Sequence, residues 1–157
     1  MGAVQAVIAP RDGLIDGCLE RVDYADAYRV AIPAGVTGGP EALAARVFAR
    51  SPGWVSFLMR LRNWMVGPLG LKTTAAPGER VGFFRVYART GQEVLLGEND
   101  RHLDFRVSVR VSGEAGPRVA VVTTLVRFHN WVGRLYFLVV RPFHRLIVPA
   151  VIRHALR

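Results

Sequence analysis

The sequence predicts an α+β domain in which helices cover one face of an antiparallel sheet. Two observations support this fold class. Helix-like segments fill much of the first half of the chain, and segments with period-two alternation fill the second half as far as residue 130, where a long amphipathic segment follows. With 157 residues, 51% of them hydrophobic and 21% charged, we expect a single domain over residues 1–157.

The first predicted elements are one strand and two short helices. The strand covers about residues 26–32, where "DAYRVAIP" alternates before a "TGGP" breaker. Pro40 stands at the first position of one helix, and Ser51 with Pro52 begins the other. Apolar side chains recur at helical spacing in the second helix: Trp54, Phe57, Leu58, Leu61 and Met65.

Four consecutive strands are predicted after a loop at residues 72–80, in "VGFFRVYART", "EVLLGE", "HLDFRVSVRV" and "RVAVVTTLVRFHN". The third is the clearest. Its apolar residues lie on one face: Leu103, Phe105, Val107, Val109 and Val111. Its polar residues lie on the other: His102, Asp104, Arg106, Ser108 and Arg110. The five strands leave residues 1–20 and the 72–80 loop as places for further strands.

The last segment is predicted to be a helix with Asn130 as its N-cap. One continuous apolar stripe runs along it: Tyr136, Val140, Phe143, Ile147 and Val151. Arginines project from the opposite side: Arg134, Arg141 and Arg145. Pro142 and Pro149 are expected to bend or interrupt the helix. Since its longest apolar run, "LYFLVV", is far shorter than the roughly 20 residues that a membrane span needs, we expect no transmembrane segment.

Three interpretations of this helix stay open. The stripe is ordinary core, or it closes a ligand cavity against the sheet, or the basic helix makes weak peripheral contact with an anionic membrane surface. The large aromatic residues either line such a cavity or belong to the core: Trp54, Trp64, Trp131, Tyr136 and Phe143.

Composition and motifs argue against several classes of function. The net charge is +9, but only Lys72 is a lysine and the arginines are scattered, so nucleic-acid binding is not expected. Cys18 is the only cysteine, and the four histidines lack ligand-like spacing, so no metal is expected. No cofactor-binding motif is present. The first 13 residues lack the features of a secretory signal, which favours a cytoplasmic location.

The candidate catalytic residues are His102 and Asp104, which share a strand face with Arg106, so that a carboxylate can orient an imidazole as a general base. The alternative is a solvated strand face. His129 and Arg127 can meet this group from the neighbouring strand. Two other polar groups are expected to be structural: Asp23 and Asp26 flank Tyr24 and either cap a turn or pair with an arginine, and His144 finds a backbone or carboxylate partner.

Several quoted segments resemble the bacterial family DUF2867, which has no assigned activity: "DYADAYRV", "SPGWVSFLMRLRNWMVGPLGLK", "GENDRHLDFRVSV" and "VRFHNWVGRLYFLVVRPFHRLIVPAVIRHALR". The resemblance covers about residues 20–157. The family is in turn similar to the START, Bet v 1 and polyketide-cyclase (SRPBCC, helix-grip) superfamily. That likeness implies an antiparallel sheet wrapped around a long C-terminal helix with an apolar cavity between them. Helix-grip domains usually have about seven strands, two more than the pattern marks here.

The resemblance and the residues together favour a protein that binds a small hydrophobic or amphipathic ligand between the sheet and the C-terminal helix. The expected ligand-binding residues are Trp54, Arg106, His129, Tyr136, Val140 and Phe143. One alternative is a cyclase- or dehydratase-like enzyme that uses His102 and Asp104. Another is a peripheral membrane or partner-binding module. Fold alone selects none of these, and the oligomeric state stays open.

Overall fold

The computed structural model describes residues 2–49, 60, 68, 78–82, 84–113 and 115–157. This part of the chain contains one antiparallel sheet of seven strands: β1 (Gln5–Val7), β2 (Tyr24–Ala31), β3 (Arg80–Val81), β4 (Phe84–Arg89), β5 (Glu93–Asn99), β6 (Leu103–Ser112) and β7 (Val119–Phe128). A 3₁₀ turn (Gly13–Ile15) and two α-helices, α1 (Pro40–Ala49) and α2 (Trp131–Ala155), complete it.

The strand order is β1-β2-β7-β6-β5-β4-β3, and every neighbouring pair is antiparallel. This sheet with its long C-terminal helix confirms the predicted α+β, helix-grip-like fold. The pattern did not mark β1 and β3, which have three residues and two residues and are too short to display a period. The predicted second short helix at 51–67 lies outside the described residues.

One face of the sheet, the inner face, packs against both helices. It carries the apolar side of β6, including Val107 and Val109, and these residues share a core with Ile152 of α2. Val47 of α1 packs against Val151 of α2, so the two helices contact each other above the sheet. The inner face therefore holds the main core of the described part of the chain.

The opposite, outer face is also buried. The segment that contains the 3₁₀ turn folds back over it, and Ile15 packs against Leu95 and Leu125. As a result the polar side of β6 is not a solvated face, because Arg106 and Ser108 are both buried. No local pattern predicts this cover, since it brings the N-terminal segment against strands that come about 80 to 110 residues later in the chain.

Helix α2 begins as predicted. The side-chain oxygen of the N-cap Asn130 accepts a hydrogen bond from the backbone N–H of Gly133 at 3.2 Å. The helix continues through Pro142 and Pro149, so neither proline ends it. Its buried residues are Gly133, Phe137, Val151, Ile152 and Ala155. Of the predicted stripe, Val151 is buried, Tyr136, Val140 and Ile147 are half-buried, and Phe143 is half exposed.

Candidate functional site

A cluster of three polar side chains lies between the inner face and α2. Tyr24 and Asp26 come from β2, and His144 comes from α2. The Tyr24 hydroxyl donates a hydrogen bond to Asp26 Oδ2 at 2.7 Å, and His144 Nδ1 lies 3.1 Å from the same oxygen. We call these three residues the inner-face cluster.

Strand register places this cluster. Tyr24 is paired with Val126, and Asp26 with Thr124, on the side of the sheet that faces α2. Aromatic rings surround the phenol, because the Phe137 ring centre lies 4.6 Å from that of Tyr24 and the Phe128 ring packs on Phe137 at 5.5 Å. The polar groups therefore lie beside an apolar wall.

Burial and Asp26 together control the ionisation of Tyr24. Burial, followed by the hydrogen bond to Asp26, raises the pKa of Tyr24 to about 12, although a hydrogen bond from Arg145 acts in the opposite direction. Burial and the charge of Asp26 also raise the pKa of Tyr28. At neutral pH Tyr24 is therefore a neutral phenol that donates a hydrogen bond to Asp26 Oδ2.

The second oxygen of Asp26 is the unusual feature of the site. Asp26 Oδ1 is buried and has no hydrogen-bond partner in the described part of the protein. His144 does not supply a partner, because its Nδ1 lies near the other oxygen, Oδ2. That contact is short enough for an ion pair, but its angles do not fit a hydrogen bond. A buried acceptor without a donor costs about 1 to 3 kcal/mol, and more when it is charged. Asp26 Oδ1 is thus a hydrogen-bond acceptor that the described contacts leave unused.

The sequence-predicted catalytic residues form a different arrangement on the outer face. Asp104 Oδ1 lies 2.9 Å from His129 Nε2. His129 was expected to reach this group from the neighbouring strand. His102 instead lies at the start of α2, where the Asn130 amide nitrogen is 2.9 Å from its Nδ1. Arg127 forms an ion pair with Glu20 at 2.8 Å. The structure therefore brings Asp104 to His129 and places His102 beside the helix cap.

Arg106 is also on the outer face. Its guanidinium carbon lies 3.8 Å from the Tyr87 ring centre, and its Nη2 donates to Asn99 Oδ1 at 2.8 Å. Tyr136, Val140 and Phe143 lie on α2, on the other side of the sheet. The predicted ligand-binding residues are thus divided between two faces, and Trp54 lies outside the described residues. Their roles in binding stay predictions.

Sequence reasoning did not assign a functional role to the inner-face cluster. The period of β2 does place Tyr24 and Asp26 on one face, and a carboxylate partner for His144 was expected. The missing information was the rotation and position of α2, which select Asp26 as that partner. The neighbouring Asp23 is structural, as expected. Burial acts to raise the pKa of Asp23, but hydrogen bonds from Arg21 and from the Phe128 N–H outweigh it and lower the pKa.

Two other features of the described residues bear on the chemistry. Among them, no group of three His, Cys, Asp or Glu side chains is close enough to hold a metal ion. A small cavity of about 160 Å³ lies at the far end of β6 from the inner-face cluster. Its lining is Gly39, Pro40, Gly91, Gln92, Val111, Ser112, Gly113 and Arg118. The described residues therefore add neither a metal-binding group nor a cavity to the inner-face cluster.

Comparisons with known proteins give one match. The family model described as "Protein of unknown function (DUF2867)" matches residues 18–151. No curated protein matches the chain, and no solved structure does. The match agrees with the resemblance noted in the sequence and supplies no activity.

Proposed function

The chain belongs to the DUF2867 family, whose description assigns no function, and we propose from its geometry that the protein binds a small amphipathic ligand between the sheet and α2. The observation that carries the proposal is the unpartnered, buried oxygen Asp26 Oδ1. A ligand hydroxyl that donates to this oxygen would remove the cost of leaving it without a donor.

The surroundings of Asp26 favour a ligand with an apolar body. The rings of Tyr24, Phe128 and Phe137 pack together beside the carboxylate and offer apolar surface. Burial of apolar ligand surface would supply about 25 cal/mol per Å², while the hydrogen bond to Asp26 would fix the orientation. A hydrogen bond to a charged acceptor contributes about 1.5 to 3 kcal/mol.

The open side of the cluster is basic. Arg141 lies over the Tyr24 ring at 5.5 Å, and Arg145 lies close enough to the Tyr24 hydroxyl to act against the rise in its pKa. Both arginines are exposed. A ligand whose polar end reaches this edge would meet positive charge, which suits an amphipathic molecule better than a purely apolar one.

The enzyme alternative finds its carboxylate beside His129 and not beside the predicted His102. A cyclase- or dehydratase-like reaction was predicted from His102 and Asp104, but Asp104 contacts His129 and His102 contacts Asn130. That alternative stays a prediction, and ligand binding is the function that the geometry favours.

Native mass spectrometry of the purified protein, beside its denatured mass, tests the proposal. We expect a bound small molecule in the native spectrum that denaturation removes. An Asp26→Ala variant should lose the bound molecule. The control variant Asp16→Ala, which alters an exposed aspartate in the N-terminal segment over the outer face, should keep it. A ligand that remains bound to folded Asp26→Ala would show that Asp26 does not hold it.

A further inference from the structure

Helix α2 has a second apolar face that nothing in the described part of the chain covers. Six large apolar side chains on it are 50% to 72% exposed: Trp131, Leu135, Leu138, Val139, Phe143 and Leu146. At 100° per residue they fall within a sector of about 140° opposite the packed face, and they extend for about 22 Å along the helix. We call these six residues the apolar ridge. A contiguous exposed ridge of this kind marks an interaction surface.

Basic residues border the apolar ridge along one side. Arg134, Arg141 and Arg145 are exposed and occupy a sector between the ridge and the packed face. Residues 131–157 contain five arginines and no aspartate or glutamate. The helix therefore combines Trp, Phe and Leu with fixed positive charge, and no acidic side chain of its own offsets that charge.

The packing of α2 fixes how this surface can meet a partner. By length and composition alone the helix is long enough and apolar enough to cross a membrane, a test that core helices also pass. However, Phe137 packs on Leu103 and Val126, and Ile152 packs in the main core. Because one face of α2 is packed against the sheet, the helix can contact a surface only along its side. Its axis then lies parallel to that surface.

We propose that the apolar ridge docks on the surface of an anionic lipid bilayer, with α2 lying in the interface plane. Apolar side chains would enter the boundary between headgroups and acyl chains, and the bordering arginines would contact lipid phosphates. The apolar ridge shares no residue with the inner-face cluster, although Arg141 and Arg145 lie beside both, and the proposal does not depend on the proposed ligand.

Charge complementarity and apolar character together select this partner. A nucleic acid would match the arginines but would leave the apolar ridge in water. A neutral bilayer would match the ridge but would gain nothing from three arginines beside it. An anionic bilayer uses both features, because attraction to anionic lipid adds to apolar burial.

Vesicle flotation tests the proposal with the full chain. The protein is mixed with vesicles of phosphatidylcholine alone, or of phosphatidylcholine with about one third phosphatidylglycerol, at about 0.1 M and about 1 M salt. We expect binding to the anionic vesicles at low salt, weaker binding at high salt, and release by an alkaline carbonate wash. Nitroxide-labelled lipid should quench fluorescence in the wild type, and Trp131→Phe should remove part of that quenching.

Two pairs of double variants separate the contributions. Leu138→Gln with Leu146→Gln should lower partitioning at least tenfold, while Ile8→Gln with Val22→Gln, at exposed apolar positions elsewhere, should not change it. Arg134→Gln with Arg141→Gln should lower partitioning onto anionic vesicles about 25-fold, since each arginine contributes about fivefold. Its control is Arg11→Gln with Arg29→Gln, which removes the same charge from exposed positions outside α2.

Three results would overturn the proposal. Equal, salt-insensitive binding to both kinds of vesicle would remove the role of charge. Resistance to the carbonate wash would mean that the protein is embedded in the bilayer. A dimer that the Leu138→Gln and Leu146→Gln changes convert to a monomer, without any vesicle binding by the wild type, would assign the apolar ridge to a second copy of the chain.

Discussion

Two carboxylates on opposite faces of the sheet, the buried Glu93 and the half-buried Asp26, differ in how fully the protein satisfies them. On the outer face Glu93 accepts hydrogen bonds from Ser108 Oγ at 2.5 Å and the Leu14 N–H at 2.9 Å, and it pairs with Arg110 at 3.2 Å. On the inner face Asp26 shares one oxygen between Tyr24 and His144 and leaves the other without a partner.

This difference separates a carboxylate whose acceptors the fold uses from one that keeps an acceptor without a donor, on which the proposed ligand site rests. Glu93 ties the N-terminal segment to the sheet, because its donors are the Leu14 N–H in that segment and the side chains of Ser108 and Arg110 on β6. The outer face has two unpartnered atoms of its own, the Thr123 hydroxyl and Arg127 Nε, but the hydroxyl is neutral and the Arg127 guanidinium already pairs with Glu20. For this reason the proposed ligand site is at Asp26 and not on the outer face.

The largest predicted effect is on the outer face. Glu93→Ala should lower the free energy of unfolding by about 3 kcal/mol, because it leaves Ser108, the Leu14 N–H and the buried side of Arg110 without their acceptor. Urea denaturation measures the loss, and the exposed Asp16→Ala is the control. A loss below about 1 kcal/mol would mean that Glu93 does not tie the two parts together.

Gly13 gives a second test of the outer face. Its φ is +73°, and a Cβ there would collide with the Arg110 guanidinium and the Glu93 carboxylate. Gly13→Ala should therefore cost about 2 kcal/mol of stability. Gly91→Ala is the matched control, since a Cβ at Gly91 has open space and its backbone is unstrained. Equal stability of the two variants would contradict the proposed fit of the 3₁₀ turn over Glu93.

On the inner face, Tyr24 should make stability depend on pH. Its pKa is about 12 in the folded protein, against about 10 in the unfolded chain, so folding favours the protonated phenol. The stabilisation is complete below pH 10 and is lost as the pH rises towards 12. After a discount for partial exposure the loss is about 1.5 kcal/mol.

Comparison with Tyr24→Phe isolates this contribution from that of other groups. Denaturation curves at pH 9 to 12 should show the wild type losing stability relative to the variant as the pH rises. Parallel pH profiles for the two proteins would show that burial and Asp26 do not hold the Tyr24 proton.

The smallest predicted effect compares the same chemical change on both faces. Asp26→Asn should change stability by less than about 0.5 kcal/mol, because the amide keeps one acceptor while removing a charge that lacks full compensation. Glu93→Gln should cost clearly more, since its carboxylate pairs with Arg110 and accepts from two further groups. Equal losses would remove the distinction between the two carboxylates.

The sequence predicts most strands of the sheet and the start of the C-terminal helix. Period two gives β4 to β7, and the side chain of Asn130 marks the start of α2. The same reasoning does not find β1 and β3, because they are too short, or the N-terminal cover of the outer face, because it depends on a distant contact. For that reason the polar side of β6, which suggested a site or a solvated face, is instead a buried face.

The candidate site was predictable only in pieces. Tyr24 and Asp26 share a face by strand period, and a carboxylate partner for His144 was expected. Joining them requires the packing of α2 through Phe137, which brings its ring to 4.6 Å from Tyr24. Charge and hydropathy patterns lack that information, because they describe each element by itself.

A pair of matched probes tests most directly whether Asp26 accepts a hydrogen bond from a ligand donor. Calorimetric titration compares 1-decanol with decyl methyl ether, which has a similar apolar chain but no donor. We predict about tenfold tighter binding of the alcohol to the wild type and no preference in Asp26→Ala. Equal binding of both probes to the wild type, or an unchanged preference in folded Asp26→Ala, would contradict the claim.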